Sequence, residues 1–198
     1  MRLDPLIKPK SVAILGALAS VSVGHDSLDG DLNFEMAPWD MRKPVIASIQ
    51  GHALGGRCKL TMFCYITVAA DKALFSKPKI HFSSAGPAII MLWMIGCKKA
   101  RELLYFEDMI DAEEAERLGM VNHVVPLDEL QERTTKFAIR VAFISPEALG
   151  KMKLAINCTT DSAGFHNTME AGLDIVARLY AEKTEHGENS TKSKKPKA

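Results

Sequence analysis

The sequence predicts an α/β fold with a helical C-terminal part, and three observations carry that expectation. Short apolar runs at 12–15, 45–49 and 66–69 are separated by helix-compatible stretches, the alternation expected of β-α units joined by right-handed crossovers. From Pro87 onward the pattern becomes helical, broken only by an apolar run at 121–125. The chain of 198 residues, 47% hydrophobic and 25% charged, has enough apolar material for one substantial core.

The runs at 12–15, ended by Gly16, and at 45–49 read as buried strands. Residues 58–64 suit a helix, 66–69 the next strand, and 75–80 a further short one. Helices are then predicted over 88–95, 98–105 and 112–118. Asp111 is placed to cap the last of these, and Gly119 to stop it. Residues 121–125 form the last predicted strand. Amphipathic helices follow at 127–142, at 146–157 with Ser145 as N-cap and Pro146 in its first position, and at 165–180. The polar segment 182–198 ends in Lys192-Ser193-Lys194-Lys195-Pro196-Lys197-Ala198 and buries no apolar area, so it is expected to stay disordered and solvated.

The most informative stretch lies where the second strand runs into paired glycines, Gly55-Gly56, that open a helix. Glycine has no Cβ, so a ligand can come close to the main chain. The first N–H groups of a helix lack intrahelical partners, and the aligned peptide dipoles favour negative charge there. Such a turn suits an oxyanion without any charged side chain. A bare glycine pair is also what a tight strand-to-helix connection needs, and the neighbouring residues decide between the two readings.

Those residues read Lys43-Pro44-Val45-Ile46-Ala47-Ser48-Ile49-Gln50-Gly51-His52-Ala53-Leu54-Gly55-Gly56-Arg57-Cys58-Lys59-Leu60. They resemble the crotonase superfamily, the enoyl-CoA hydratase/isomerase family, with its K-P-V-I-A-x-[IV]-x-G-x-A-x-G-G-G-x-E-[LM] signature. The likeness continues through 64–80, similar to C-D-I-x-[IV]-A-x-x-x-A-x-F-x-x-P-E-I, and through 109–126, similar to I-[ST]-A-x-E-A-x-x-x-G-[LM]-V-x-x-V-V-P. It covers about 12–181. The resemblance implies a ClpP/crotonase-like β-β-α superhelix core at 1–126, short of the family's N-terminal strands and first helix, with a C-terminal helical trimerisation region at 127–181. The missing segment would leave a sheet edge unpaired.

In the family two backbone N–H groups polarise a thioester carbonyl, and losing one such donor typically costs about 2.7–4 kcal/mol. The resemblance puts one donor at Gly56. It puts the other at His25, within Val21-Ser22-Val23-Gly24-His25-Asp26-Ser27-Leu28, where His25 contributes its backbone and Asp26 organises the loop. Val23, Gly24, Asp26, Leu54, Gly55 and Pro78 would line the substrate. The two family glutamates that deliver water and a proton fall on Lys59 and Lys79. An ammonium group accepts no hydrogen bond and ordinarily stays charged, so neither lysine replaces a carboxylate base. Taken alone, each reads as a snorkelling surface lysine. Arg57 stands for the third glycine and Tyr65 for the usual aspartate. Arg57, Lys59 and Lys77 are candidates to meet coenzyme A phosphates. Glu102, Glu107 and Asp108 are nearby carboxylates, but no spacing marks any of them as a replacement base.

The resemblance therefore implies an acyl-CoA-binding protein with an oxyanion hole and impaired hydration. The alternatives are a working hydratase or isomerase with unconventional acid/base groups, or a non-catalytic subunit of a homotrimer or hexamer. No cofactor is implied, since coenzyme A belongs to the substrate, and no metal. A net charge of +1 gives no general argument for nucleic acid or membrane binding. Cys58, Cys64, Cys97 and Cys158 show no C-x-x-C spacing. They read as small buried residues of a protein in a reducing compartment, the cytoplasm. Neither G-x-G-x-x-G after a strand nor G-x-S-x-G is present, which excludes common nucleotide-cofactor and serine-hydrolase arrangements.

Overall fold

The structure, a computed structural model, describes residues 13–15, 28–76, 89–175 and 177. Two sheets organise these residues. The first holds β1 (Ala13–Leu15), β2 (Val45–Ile49), β4 (Ile66–Ala70) and β7 (His123–Val125), all parallel and in that order. The second holds β3 (His52–Leu54), β5 (Leu74–Ser76) and β6 (Ile110–Asp111), with β3 parallel to β5 and β6 antiparallel to it. The chain visits the sheets in turn: β2 then β3, a helix, then β4 and β5. This strand-strand-helix rhythm is the β-β-α superhelix that the resemblance implies.

β2 is buried along its whole length, as expected of a parallel strand covered on both faces. Ala47, Ile49 and Ala69 face the main core, while Ile46, Val68 and Ala70 face α6 (Leu130–Ala142) and its approach. That is the two-residue period of a strand. Thr134 on α6 donates a 3.2 Å hydrogen bond to Ser48, pairing two hydroxyls that burial would otherwise penalise.

The main core is closed by α1 (Leu28–Asp40), α2 (Gly56–Phe63), α3 (Ile90–Ile95), α4 (Cys97–Phe106), α5 (Ala112–Arg117) and α8 (165–175). Phe165 lies at its centre, stacked on Trp39 at 4.4 Å between ring centroids and edge-on to Trp93 at 5.4 Å. The predicted caps form: Asp111 accepts from the Glu114 N–H at 2.8 Å and Ser145 from the Ala148 N–H at 3.1 Å. Ser145 opens α7 (Pro146–Ser162), five residues longer than its predicted 146–157. Gly119, at φ 84°, follows α5 as expected.

Three sequence expectations are corrected. Helix α1 was not anticipated, because Gly30 and Pro38 interrupt its pattern. Only Cys58 is fully buried; Cys64 is half-buried and Cys97 and Cys158 are exposed. Lys59 is not a surface lysine but 2% exposed, within the core between α1 and α2. The tail expected at 182–198 lies outside the described residues. Among the described residues no helix is long and apolar enough to cross a membrane.

Candidate active site

The glycine turn is built as a helix start. Gly55 occupies φ 59° and ψ −121°, a conformation closed to residues with a Cβ. Its N–H donates to the Ser76 carbonyl at 2.9 Å, which ties the turn to the end of β5. Its own carbonyl accepts from the Lys59 N–H at 3.2 Å, closing the first turn of α2. Gly56 is therefore the first helical residue, with its N–H at the positive end of the helix. It is half-buried, as is Leu54, whereas Gly55 is buried.

Beneath Gly56 lies a buried ion pair. Lys59 projects from the first turn of α2 to the carboxylate of Glu35 on α1, its Nζ against Oε2. Both residues are nearly inaccessible, Glu35 at 4% and Lys59 at 2%. The other carboxylate oxygen, Oε1, faces Gly56 so closely that a Cβ built there would lie 3.0 Å from it. Glycine at 56 thus leaves room for the Glu35 carboxylate. Leaving a buried ammonium or carboxylate alone is costly, so each residue makes the other tolerable.

Of the site residues expected from sequence, Leu54, Gly55, Gly56 and Lys59 come together in one turn. His25, Val23, Gly24, Asp26, Lys77, Pro78 and Lys79 lie outside the described residues. Arg57 is half-buried. Glu102 pairs with Lys99 on the surface of α4 at 2.7 Å, and Asp108 is exposed. Glu107 ends α4 in the left-handed conformation at φ 58°, its carbonyl accepting from Ser76 at 3.1 Å. Sequence reasoning missed Glu35. The signal available was the spacing of Leu32, Met36 and Trp39, an apolar face that marks a helix.

A second buried lysine is held differently. Lys153 of α7 reaches the end of α1 and donates to the carbonyls of Pro38, at 3.1 Å, and of Met41. Its Nζ sits 4.4 Å from the centre of the Tyr65 ring. Burial draws its pKa down to about 8, against an opposing pull from Asp40. The Tyr65 hydroxyl donates to Asn157 Oδ1, and burial pushes the phenol up to about 12. Beside these residues is a cavity of about 690 Å³ between the end of α1 and α7, bordered by Trp39, Lys43, Pro44, Pro146, Leu149 and Lys153. Its lining includes none of Leu54, Gly55, Gly56 or Lys59. Among the described residues no three His, Cys, Asp or Glu side chains gather as metal ligands would.

Residues 29–195 match the family described as enoyl-CoA hydratase/isomerase. The chain belongs to that family. A probable mitochondrial enoyl-CoA hydratase of Dictyostelium discoideum is 35% identical over 162 residues, 78% of this chain. The chain spans 56% of the length of that relative. A probable enoyl-CoA hydratase of Mycobacterium thermoresistibile superposes with a TM-score of 0.78 at 31% identity, covering 88% of this chain and 79% of that one. An enoyl-CoA hydratase/isomerase of Xanthobacter autotrophicus Py2 gives 0.75 at 31%, covering 77% and 57%. The crotonase-like core with a helical C-terminal region is thus shared with this enoyl-CoA hydratase/isomerase family. The chain is shorter than each of these solved relatives.

Proposed function

We propose that this protein binds an acyl-CoA thioester with its carbonyl oxygen at the Gly56 N–H, and that hydration through the family's two carboxylates is impaired. The observation that carries this reading is the glycine-built start of α2 with Lys59 locked to Glu35 beneath it. The backbone half of the site suits an oxyanion. The side chain at 59, where the resemblance expects a glutamate, is a cation already committed to a carboxylate and cannot activate water. His25 supplies the second backbone donor in this reading, and Arg57, next to Gly56, meets a coenzyme A phosphate. No cofactor is needed beyond the coenzyme A of the substrate.

Crotonyl-CoA hydration, followed by loss of the conjugated thioester absorbance, tests the reading. Little or no turnover is expected from the natural chain. Turnover should rise in Lys59→Glu/Lys79→Glu carrying Glu35→Gln, which avoids two carboxylates at one buried point. Robust turnover by the natural chain would instead favour a hydratase or isomerase with other acid/base groups.

Assembly into a homotrimer or hexamer through the C-terminal helices, at 127–181, belongs to the same proposal. It is supported by exposed apolar side chains on and between α6 and α7: Ile139, Phe143, Met152 and Ile156. A purely structural subunit would assemble without binding acyl-CoA. The cytoplasm was the compartment expected from sequence, whereas the Dictyostelium relative is named mitochondrial. We favour a reducing compartment of either kind, in keeping with the exposed thiols of Cys97 and Cys158. Cell fractionation separates the two.

A further inference from the structure

We propose that the cavity between the end of α1 and α7 is a second binding site, separate from the glycine turn, for an organic anion with an apolar body: the carboxylate of a medium-chain fatty acid. It stands independently of the thioester reading, since Leu54, Gly55, Gly56 and Lys59 take no part in its lining. Its volume of about 690 Å³ lies in the range of small-molecule sites.

Charge selects the head group. Four cations border the cavity, Arg42, Lys43, Lys151 and Lys153, against two carboxylates, Asp40 and Glu147. Both carboxylates are already engaged, Glu147 with Lys151 at 2.7 Å and Asp40 with His166 at 3.3 Å. Arg42 and Lys43 have no ion pair among the described residues. Lys153 is 4% exposed and holds its charge against the carbonyls of Pro38, Met41 and Lys43, with no carboxylate in contact among the described residues. Its pKa, drawn down to about 8 by burial, is the mark of a positive charge short of a counter-ion. The cavity also meets the first turn of α7 at Pro146 and Leu149, the positive end of that helix.

The walls select the rest. Trp39, Pro44, Pro146 and Leu149 give the cavity apolar sides. Trp39 also carries a buried indole N–H with no acceptor among the described residues. Buried donors rarely stay unpaired, and an acceptor from a ligand would fill that gap. Gly150 leaves further room, because a Cβ built there meets nothing within 4 Å. A carboxylate at the cations with its alkyl chain along the wall answers both properties. A small inorganic anion would leave the apolar wall bare, and an uncharged chain would leave the cations unmet.

Calorimetry of the full chain with sodium octanoate, kept below its micelle concentration, tests the site. Octanoate is expected to bind at least about 10-fold more tightly than 1-octanol, which has the same chain length and no charge. Arg42→Ala/Lys43→Ala changes two exposed positions and is expected to weaken binding by at least about 10-fold. Gly150→Phe, which puts a ring into open space at a cavity wall, is expected to abolish binding while circular dichroism stays unchanged. Saturating butyryl-CoA should leave octanoate affinity as it was. Absence of octanoate binding, equal affinity for 1-octanol, or undiminished binding by either folded variant would overturn the site. Displacement of octanoate by butyryl-CoA would place it at the thioester site instead and overturn a second one, leaving the thioester reading untouched.

Discussion

Two buried lysines that both reach α1 solve the same problem in different ways. Lys59 meets the side-chain carboxylate of Glu35 in the body of α1, whereas Lys153 meets main-chain carbonyls at its C-terminal end, including that of Pro38. A carboxylate brings a full opposite charge into the core, and the result is a neutral pair whose members depend on each other. Carbonyls bring only dipoles, and Lys153 is left with a pKa drawn down to about 8 by burial. The first arrangement delivers a carboxylate to the glycine turn. The second fastens α7 to the end of α1 and borders a cavity away from that turn.

The largest expected effect comes from separating the first pair. Lys59→Met should lower the unfolding free energy in urea by about 3–5 kcal/mol, because Glu35 is left charged in the core. Lys59→Met/Glu35→Leu should recover most of the loss, since an apolar pair of similar volume replaces the ions. Equal destabilisation by the single and double variants would show that the pairing is not what makes Lys59 tolerable.

Lys153→Met should cost less, about 1–3 kcal/mol, because it removes hydrogen bonds to carbonyls without stranding a charge. It should also change the pH profile. The folded pKa of Lys153 lies below the ordinary 10.5, so between about pH 8 and 10.5 the unfolded chain binds the extra proton. Stability contributed at this residue therefore rises with pH across that window, and Lys153→Met should lack the rise. A loss of 3–5 kcal/mol on Lys153→Met would erase the contrast between the two lysines.

Gly56→Ala sharpens the contrast from the glycine side. The added methyl group meets Glu35 Oε1 at 3.0 Å, and the crowding should cost about 1–3 kcal/mol. In a Glu35→Ala background the same substitution should cost measurably less, a coupling that a double-mutant cycle reads directly. The smallest effect is expected at Glu107, held at φ 58°. Glu107→Gly should raise stability by up to about 1 kcal/mol as left-handed strain is relieved.

Much of the fold was legible because its signals are local. The runs at 45–49 and 66–69 are strands to within a residue, and Asp111 and Ser145 cap their helices as their neighbours predict. The turn at Gly55-Gly56 was legible for the same reason, since backbone conformation and helix start are both written in adjacent residues. Glu35 was not, because a carboxylate twenty-four residues from Lys59 carries no local mark of its partner. Burial of Lys59 followed from the same gap: a lysine considered alone snorkels, and only the packing of α1 on α2 supplies the charge that keeps it inside. Cys97 and Cys158, expected to be buried from their lack of C-x-x-C spacing, are exposed, because exposure at a helix start or along α7 is decided by neighbours distant in sequence.

An oxyanion hole at this turn requires a thioester carbonyl to meet the main chain at Gly56, and the carbonyl itself can report this. Butyryl-CoA labelled with ¹³C at C1 should show a downfield shift of its carbonyl resonance when the protein is saturated, as backbone N–H groups draw charge onto the oxygen. A resonance that stays at its free position while calorimetry records binding would contradict an oxyanion hole at this turn.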